Sequence, residues 1–414
     1  MQLSGVTHFI TRSPWSKSWV PVAAGVAVGL LASNYRRRTL SDTPYQSPLT
    51  TVLPSLSDDA IRTLPYPPDA YPGARNVNTP LGSIRVYEWG PTDGKKVLLV
   101  HGISTPCISM VQIASRLVES GCRVMVFDLF GRGFSGAPNP KNHPHDASLY
   151  ITQILYVLAS SSVPWTGASS GGFTIVGYSF GGGVAATFIS YFPHLVSNLV
   201  LLAPGGIMRE HHISWTSHIL YNNGGLIPNS FVRWAVGRRL KPAPEKPPLV
   251  RPTNESNPDE DDIGTAEIPS TPGNPQSRKE PVIGVESVSH GPNLVPSRPS
   301  INAAKATDWQ IKHHEGFLSV FISAIQHGPI TKQHETWRKV RHAFEADGRE
   351  KRVLLVLGHT DSIVKADEVG PDALEIFGEE LLQTEVLDAG HDLPMKNGEE
   401  IADFITGLPN MGKS

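Results

Sequence analysis

Short apolar runs alternate with helix-spaced apolar positions along two separate stretches of this chain. Ser83–Tyr87 alternates in the manner of an edge strand, and Lys96–Val100 (KVLLV) is a continuous apolar run. Cys107–Glu119 places Ile108, Val111, Ile113 and Leu117 on one side of a helix. Strand-like Arg123–Phe127, helical Leu149–Leu158, strand Phe173–Val176, helical Gly183–Tyr191 and strand Leu199–Leu202 follow. Short apolar strands spaced by amphipathic helices predict a mostly parallel sheet covered on both faces. The pattern stops near Gly206 and resumes at Arg352–Leu357 (RVLLVL), with a helix at Ala373–Leu382, a strand at Thr384–Leu387 and a last helix at Glu399–Thr406.

The interruption has two textures. Residues 206–240 and 306–346 carry Trp, Phe, Ile and Leu at helical intervals and are expected to fold. Residues 241–300 hold 13 of the 36 prolines and no Phe, Trp or Tyr, too little apolar surface to offset the entropy of ordering, so this insert is expected to be disordered. Residues 42–81, rich in Pro, Ser and Thr, read as a linker folding onto the domain edge. The resulting division is 1–41 targeting or anchor segment, 42–81 linker, 82–205 first core part, 206–346 cap region and 347–414 second core part. No internal repeat is visible.

Charge changes the picture at one end only. Overall, 36 basic residues face 38 acidic ones, so no global field attracts nucleic acid. The first 41 residues, however, lack Asp and Glu and contain Arg12, Lys17 and Arg36–Arg38. Between them Trp19–Ala32 (WVPVAAGVAVGLLA) is uncharged, and as a helix it rises about 21 Å against a hydrocarbon core of about 30 Å. Its flanks bring it near the lower limit for a span, so the expectation is a single-pass or interfacial N-terminal anchor. Arg36–Arg38 hold the following domain on the cytosolic side and oppose a cleaved signal peptide. The same acid-free basic leader also fits a mitochondrial presequence. Cys107 and Cys122 are too few for a disulfide scaffold or a four-cysteine zinc site and read as buried thiols.

Several motifs lack the context that would give them chemistry. Gly131, Gly133 and Gly136 spell a dinucleotide-type spacing, but Ala-Pro-Asn-Pro follows instead of a helix start, and no acidic residue stands about twenty positions on. His143, His145 and Asp146 are too compressed for a metal shell and read as a solvated loop. Gly90–Lys96 has the wrong spacing for a phosphate loop, and neither His314-Glu315 nor His334-Glu335 is completed by a second histidine at zinc-helix spacing. No metal and no cofactor is implied.

Gly177-Tyr178-Ser179-Phe180-Gly181 is different, because it follows a strand and opens a helix. A tight strand-to-helix turn lifts a serine oxygen above the sheet, and flanking glycines relieve the crowding. Serine is a poor nucleophile at neutral pH and needs a base, which needs an orienting carboxylate. Asp361, in Gly-His-Thr-Asp, and His391, in Ala-Gly-His-Asp, each lie four residues past a strand, at the sheet edge where ligands bind. Phe180 and Ile103, in the loop after Val100, are the nominated oxyanion donors through their backbone N–H groups. His359 and Asp392 are rival partners, and His211, His212 and His218 stand in the cap region.

VLLVHG, VFDLFGRGFSG, GYSFG, GHTD and the final GHD together resemble the α/β-hydrolase superfamily over residues 82–205 and 347–410. The resemblance implies the α/β-hydrolase fold with a helical cap, here enlarged, and Ser179 as nucleophile, Asp361 as acid, His391 as base, with Ile103 and Phe180 as the oxyanion donors. It also makes Asp128 and the glycine loop after it structural. A serine at the elbow argues against dehalogenases and epoxide hydrolases, which use aspartate there. Ile213–Val236 is rich in Trp, Ile, Leu and Phe and suits an apolar acyl substrate, so a lipase- or esterase-like reading leads. Thioester or carbon–carbon bond hydrolysis remains open, as does a non-catalytic binding or scaffold module. An intact Ser-Asp-His set separates the enzymes from the scaffold.

Overall fold

The apolar runs of the sequence become the interior strands of one sheet in the computed structural model of the chain. The structure describes residues 43–167, 170–209, 229–240 and 294–411, with positions 25, 28 and 29 besides. The strands are β1 (Ala74–Thr79), β2 (Gly82–Trp89), β3 (Lys96–Val100), β4 (Arg123–Phe127), β5 (Phe173–Tyr178), β6 (Val196–Leu202), β7 (Arg352–Gly358) and β8 (Leu382–Leu387). Their order is β1-β2-β4-β3-β5-β6-β7-β8. From β4 to β8 all neighbours run parallel, while β2 pairs antiparallel with both β1 and β4. Parallel strands buried on both faces need continuous apolar sequence, which is what KVLLV and RVLLVL supply.

Helices cover both faces. On one lie α1 (Val111–Glu119) and the C-terminal α9 (Gly398–Thr406), packed on each other. On the other lie α2 (Ala147–Ala159), α3 (Phe180–Tyr191), α7 (His334–Ala346) and α8 (Ala366–Phe377). The cap contributes α4 (Asn229–Leu240), α5 (Ala303–His313) and α6 (Phe317–His327). α6 lies on the glycine loop after β4, where a Cβ on Gly131 would strike Val320.

Three expectations need correction. The stretch 42–81 is no mere linker: it contributes β1, the edge of the sheet, so Ser83–Tyr87 lies in an interior strand. Sequence missed β1 because ARNVNT buries no apolar face; its register against β2, from Ala74 opposite Tyr87 to Thr79 opposite Gly82, is held by backbone hydrogen bonds. Tyr66 and Tyr71 are buried, and their hydroxyls donate to the Asp128 carboxylate (2.9 Å) and the Cys107 carbonyl (2.8 Å).

The helix expected at Ala373–Leu382 instead spans Ala366–Phe377. Pro371 sits inside it and removes one i→i−4 hydrogen bond, and Gly378 (φ 74°) stops it, releasing Leu382 into β8. Residues 294–300, read as part of the disordered insert, are folded. Leu294 and Ile301 are buried, Arg298 pairs with Asp69 at 2.9 Å, and the Asn302 N–H donates to the Pro65 carbonyl. Residues 241–293, residues 210–228 with His211, His212 and His218, and the N-terminal segment 1–42 apart from positions 25, 28 and 29 lie outside the described residues. Among the described residues no helix is long and apolar enough to cross a membrane.

Candidate active site

β5 ends at Tyr178 and α3 begins at Phe180, so Ser179 alone turns the chain. Its φ of 52° with ψ −120° is a sparsely populated conformation for a residue with a side chain, worth about 1–3 kcal/mol of local strain. Neighbouring bonds hold it there. The Ser179 N–H donates to the Leu202 carbonyl at 2.9 Å, and its own carbonyl accepts from Gly182 (2.9 Å) and Gly205 (2.7 Å). The flanking glycines are required by close approach. A Cβ on Gly177 would strike the Gly181 carbonyl, and one on Gly181 would strike the Val100 carbonyl.

The loops after β7 and β8 bring two more side chains to the same edge. The His359 N–H donates to the Leu387 carbonyl and the Thr360 N–H to the Ala389 carbonyl, tying the loops together. Asp361 Oδ1 accepts from the backbone N–H groups of Ile363 (2.7 Å) and Val364 (2.9 Å). Its Oδ2 lies 2.7 Å from His391 Nδ1, and His391 Nε2 lies 2.9 Å from Ser179 Oγ. A carboxylate can only accept, so Nδ1 carries the proton and Nε2 is left to accept from the serine hydroxyl. The side chains are 0% exposed for Asp361 and 3% for His391, so water does not compete for this contact. Tyr178 donates its hydroxyl to the His391 carbonyl at 2.8 Å, fixing the histidine's backbone from the strand that leads into Ser179.

The rivals point elsewhere. His359 is exposed, and Asp392 pairs with Lys396 at 3.0 Å.

Among the described residues, the backbone N–H groups of Ile103 and Phe180 donate to no protein acceptor, as oxyanion donors require. The loop holding Ile103 is braced from beneath. His101 Nε2 accepts from the Leu129 N–H at 2.8 Å, which makes Nδ1 the donor to the Gly102 carbonyl. Burial, with Arg132 nearby, lowers the His101 pKa to about 3, so the ring is neutral. Arg132 is fully buried and faces no carboxylate among the described residues. It donates to the carbonyls of Ile103 (Nε, 2.9 Å) and Phe130 (Nη1, 2.9 Å) and to the Tyr150 hydroxyl (3.3 Å). Gln310 of α5 donates to the Ser104 carbonyl and accepts from the Gly133 N–H at 3.0 Å, coupling the cap to the same loop.

Asp128 and its glycine loop are structural, as the resemblance implied. The buried carboxylate accepts from the Cys107 N–H (3.0 Å) and the Phe134 N–H (2.9 Å), while burial pushes its pKa up. His145 is not solvated as expected. It is buried between the Pro138 carbonyl (3.1 Å) and the Tyr150 hydroxyl (3.3 Å), and burial lowers its pKa to about 3. Asp146 caps α2 at the Leu149 N–H. Among the described residues no group of three His, Cys, Asp or Glu side chains is placed to hold a metal. Arg132, His101, Gln310 and Tyr178 were not singled out by sequence reasoning. His101, Arg132 and Tyr178 stood inside the HG, GRG and GYSFG motifs, while Gln310 carried no signal.

Comparison with known proteins bears on the family and the fold. The model of a family described as the alpha/beta hydrolase family matches residues 97–404. A serine hydrolase-like protein of Dictyostelium discoideum is 32% identical over 130 residues, covering 30% of this chain and 32% of that protein. A serine hydrolase-like protein of Mus musculus is 31% identical over 123 residues, 30% of this chain and 37% of that one. The match thus spans about a third of the length of these curated relatives. Among solved structures, a carboxylesterase of Bacillus subtilis is similar in fold, with TM-score 0.50 and 14% identity over 86% of this chain and 96% of that one.

Proposed function

The chain belongs to the alpha/beta hydrolase family, and on that premise we propose that it cleaves a carboxylic ester with an apolar acyl group through an acyl-enzyme on Ser179. The observation that carries this reading is the continuous contact from Asp361 through His391 to Ser179, at 2.7 and 2.9 Å. Ser179 Oγ attacks the ester carbonyl as its proton passes to His391 Nε2. Asp361 stabilises the imidazolium and holds its tautomer. The Ile103 and Phe180 N–H groups receive the negative oxygen of the tetrahedral intermediate. Collapse expels the alkoxide, which takes the proton from His391. Water then attacks the acyl-serine by the same route and releases the acid. The apolar acyl preference rests on the cap sequence Ile213–Val236, most of which lies outside the described residues.

A fluorophosphonate probe is expected to form one covalent adduct, on Ser179, and hydrolysis of short p-nitrophenyl esters should fall in proportion to labelling. Protein that neither labels nor hydrolyses such esters would be a binding module on this fold.

We also propose that residues 1–41 tether the domain to a membrane, with the catalytic part on the cytosolic side. Trp19, Tyr35 and Arg36–Arg38 are suited to the interface, and the triad and the whole sheet lie downstream. Removing 1–41 should convert a salt-resistant membrane fraction into a salt-extractable or soluble one with esterase activity retained. Full-length protein recovered wholly soluble would overturn the tether, protease protection of the domain in sealed vesicles would reverse its side, and processing near residue 40 in mitochondria would make it a presequence.

A further inference from the structure

The cap helix α4 (NSFVRWAVGRRL) buries one face and turns the other outward. Val232, Val236 and Leu240, spaced at i, i+4 and i+8, are buried. Phe231 and Trp234 point away, 51% and 58% exposed, with ring centroids 5.6 Å apart. The Arg238 guanidinium lies 5.7 Å from the Trp234 ring centroid. The helix contains Arg233, Arg238 and Arg239 and no acidic residue, although the whole chain carries two more acids than bases. Between α4 and α5 opens a groove of about 760 Å³, lined by Arg233, Arg238 and Lys312, with Glu315 its one carboxylate among the described residues. Lys312 is balanced by Asp308 at 2.5 Å, which leaves the groove's positive character to Arg233 and Arg238.

We propose that this outer face of α4 is a lipid-contact surface that seats the cap on an anionic bilayer. Adjacent aromatic rings on a helix facing water are costly unless something apolar covers them. At a bilayer interface such rings sit at headgroup depth, while arginines one turn away reach lipid phosphates. The acid-free helix selects a negatively charged surface, and each arginine near such a surface adds to the attraction. Screening by salt over a Debye length of about 8 Å makes the contact salt-sensitive, unlike an apolar tether.

Placement gives the contact a consequence. α4 packs on α6 and α5. Ser323 of α6 accepts from the His145 N–H at 3.1 Å, and Gln310 of α5 bonds the loop that carries Ile103. A bilayer against α4 therefore bears on the layer over the catalytic edge. The inference does not depend on the esterase reading, since an inactive chain would dock equally well.

Native Cys107 and Cys122 are both buried, so a Ser230→Cys variant of the full chain places an environment-sensitive nitrobenzoxadiazole label at exposed position 230 alone. With phosphatidylserine-containing vesicles the label's emission should shift to the blue and rise several-fold, and high salt should reverse this. Phosphatidylcholine vesicles should give little change. In the labelled chain, Arg233→Gln with Arg238→Gln should raise the lipid concentration at half-response roughly twentyfold. Phe231→Ser with Trp234→Ser should abolish the blue shift. All four positions are exposed, so unchanged melting is expected. Two results would overturn the surface: water-like emission on vesicles with which the protein sediments, or equal responses to neutral and anionic lipid. The first reads the Ser230→Cys chain alone and stands even if a further variant fails to fold.

Discussion

Ser179→Ala is expected to lower turnover of short p-nitrophenyl esters by up to about a millionfold, with the fold intact. The substitution removes one side-chain hydrogen bond, the 2.9 Å one to His391 Nε2. The backbone bonds that hold position 179, to Leu202, Gly182 and Gly205, all use main-chain atoms and survive the change. Alanine keeps the Cβ that serine already places at φ 52°, so no new strain enters the elbow. Activity should not fall to the uncatalysed rate. Substrate binding and the N–H groups of Ile103 and Phe180 remain, and such a remnant retains on the order of 10³–10⁴ over water. The measurement is steady-state turnover per mole of folded protein, with fluorophosphonate labelling used to exclude contaminating wild-type enzyme, beside a thermal melt. An alanine variant keeping most of the wild-type rate, with no labelling at position 179, would remove the serine from the mechanism.

Where the sequence was legible, the signal was local. KVLLV, RVMVF and RVLLVL are strands within a residue of their expected bounds, because a strand buried on both faces has no polar position to blur it. Ser179 was legible because its motif and its strand-turn-helix setting are contiguous. Asp361 and His391 were placed by their distance past strand ends, yet no local pattern states that loops 30 residues apart bond to one another. β1 was missed for the opposite reason: its stability comes from pairing with β2, while Val77 is its one half-buried aliphatic side chain larger than alanine. The supports of the oxyanion loop were hidden by separation. Gln310 and Ser104 lie 206 residues apart, and a lone glutamine on a helix carries no mark of its partner. His145 misled because a polar residue among prolines reads as solvated until its neighbours, Pro138 and Tyr150, close around it.

Asp361→Asn is expected to cost about four orders of magnitude in turnover, with little change in stability. The two carboxylate oxygens have unequal tasks, and that asymmetry decides which way an asparagine turns. Oδ1 accepts two backbone N–H bonds, from Ile363 and Val364, whereas Oδ2 accepts only from His391 Nδ1. An amide NH₂ facing two N–H donors would leave three buried donors opposed, so the asparagine oxygen takes the Oδ1 place. The NH₂ then points at His391 Nδ1, which must become an acceptor. That moves the ring proton to Nε2, where it confronts the Ser179 hydroxyl and leaves no lone pair for the serine proton. The imidazolium also loses its counter-charge in a pocket that excludes water. Fluorophosphonate labelling, which needs the same activated serine, should slow in parallel. Asp392→Asn and His359→Ala supply the contrast: Asp392 faces Lys396 and His359 is exposed, so each should keep turnover within a few-fold of wild type. If instead Asp392→Asn were the crippling change and Asp361→Asn the mild one, the acid would belong to the histidine's own loop, and the order of contacts from strand β7 to the nucleophile would be wrong.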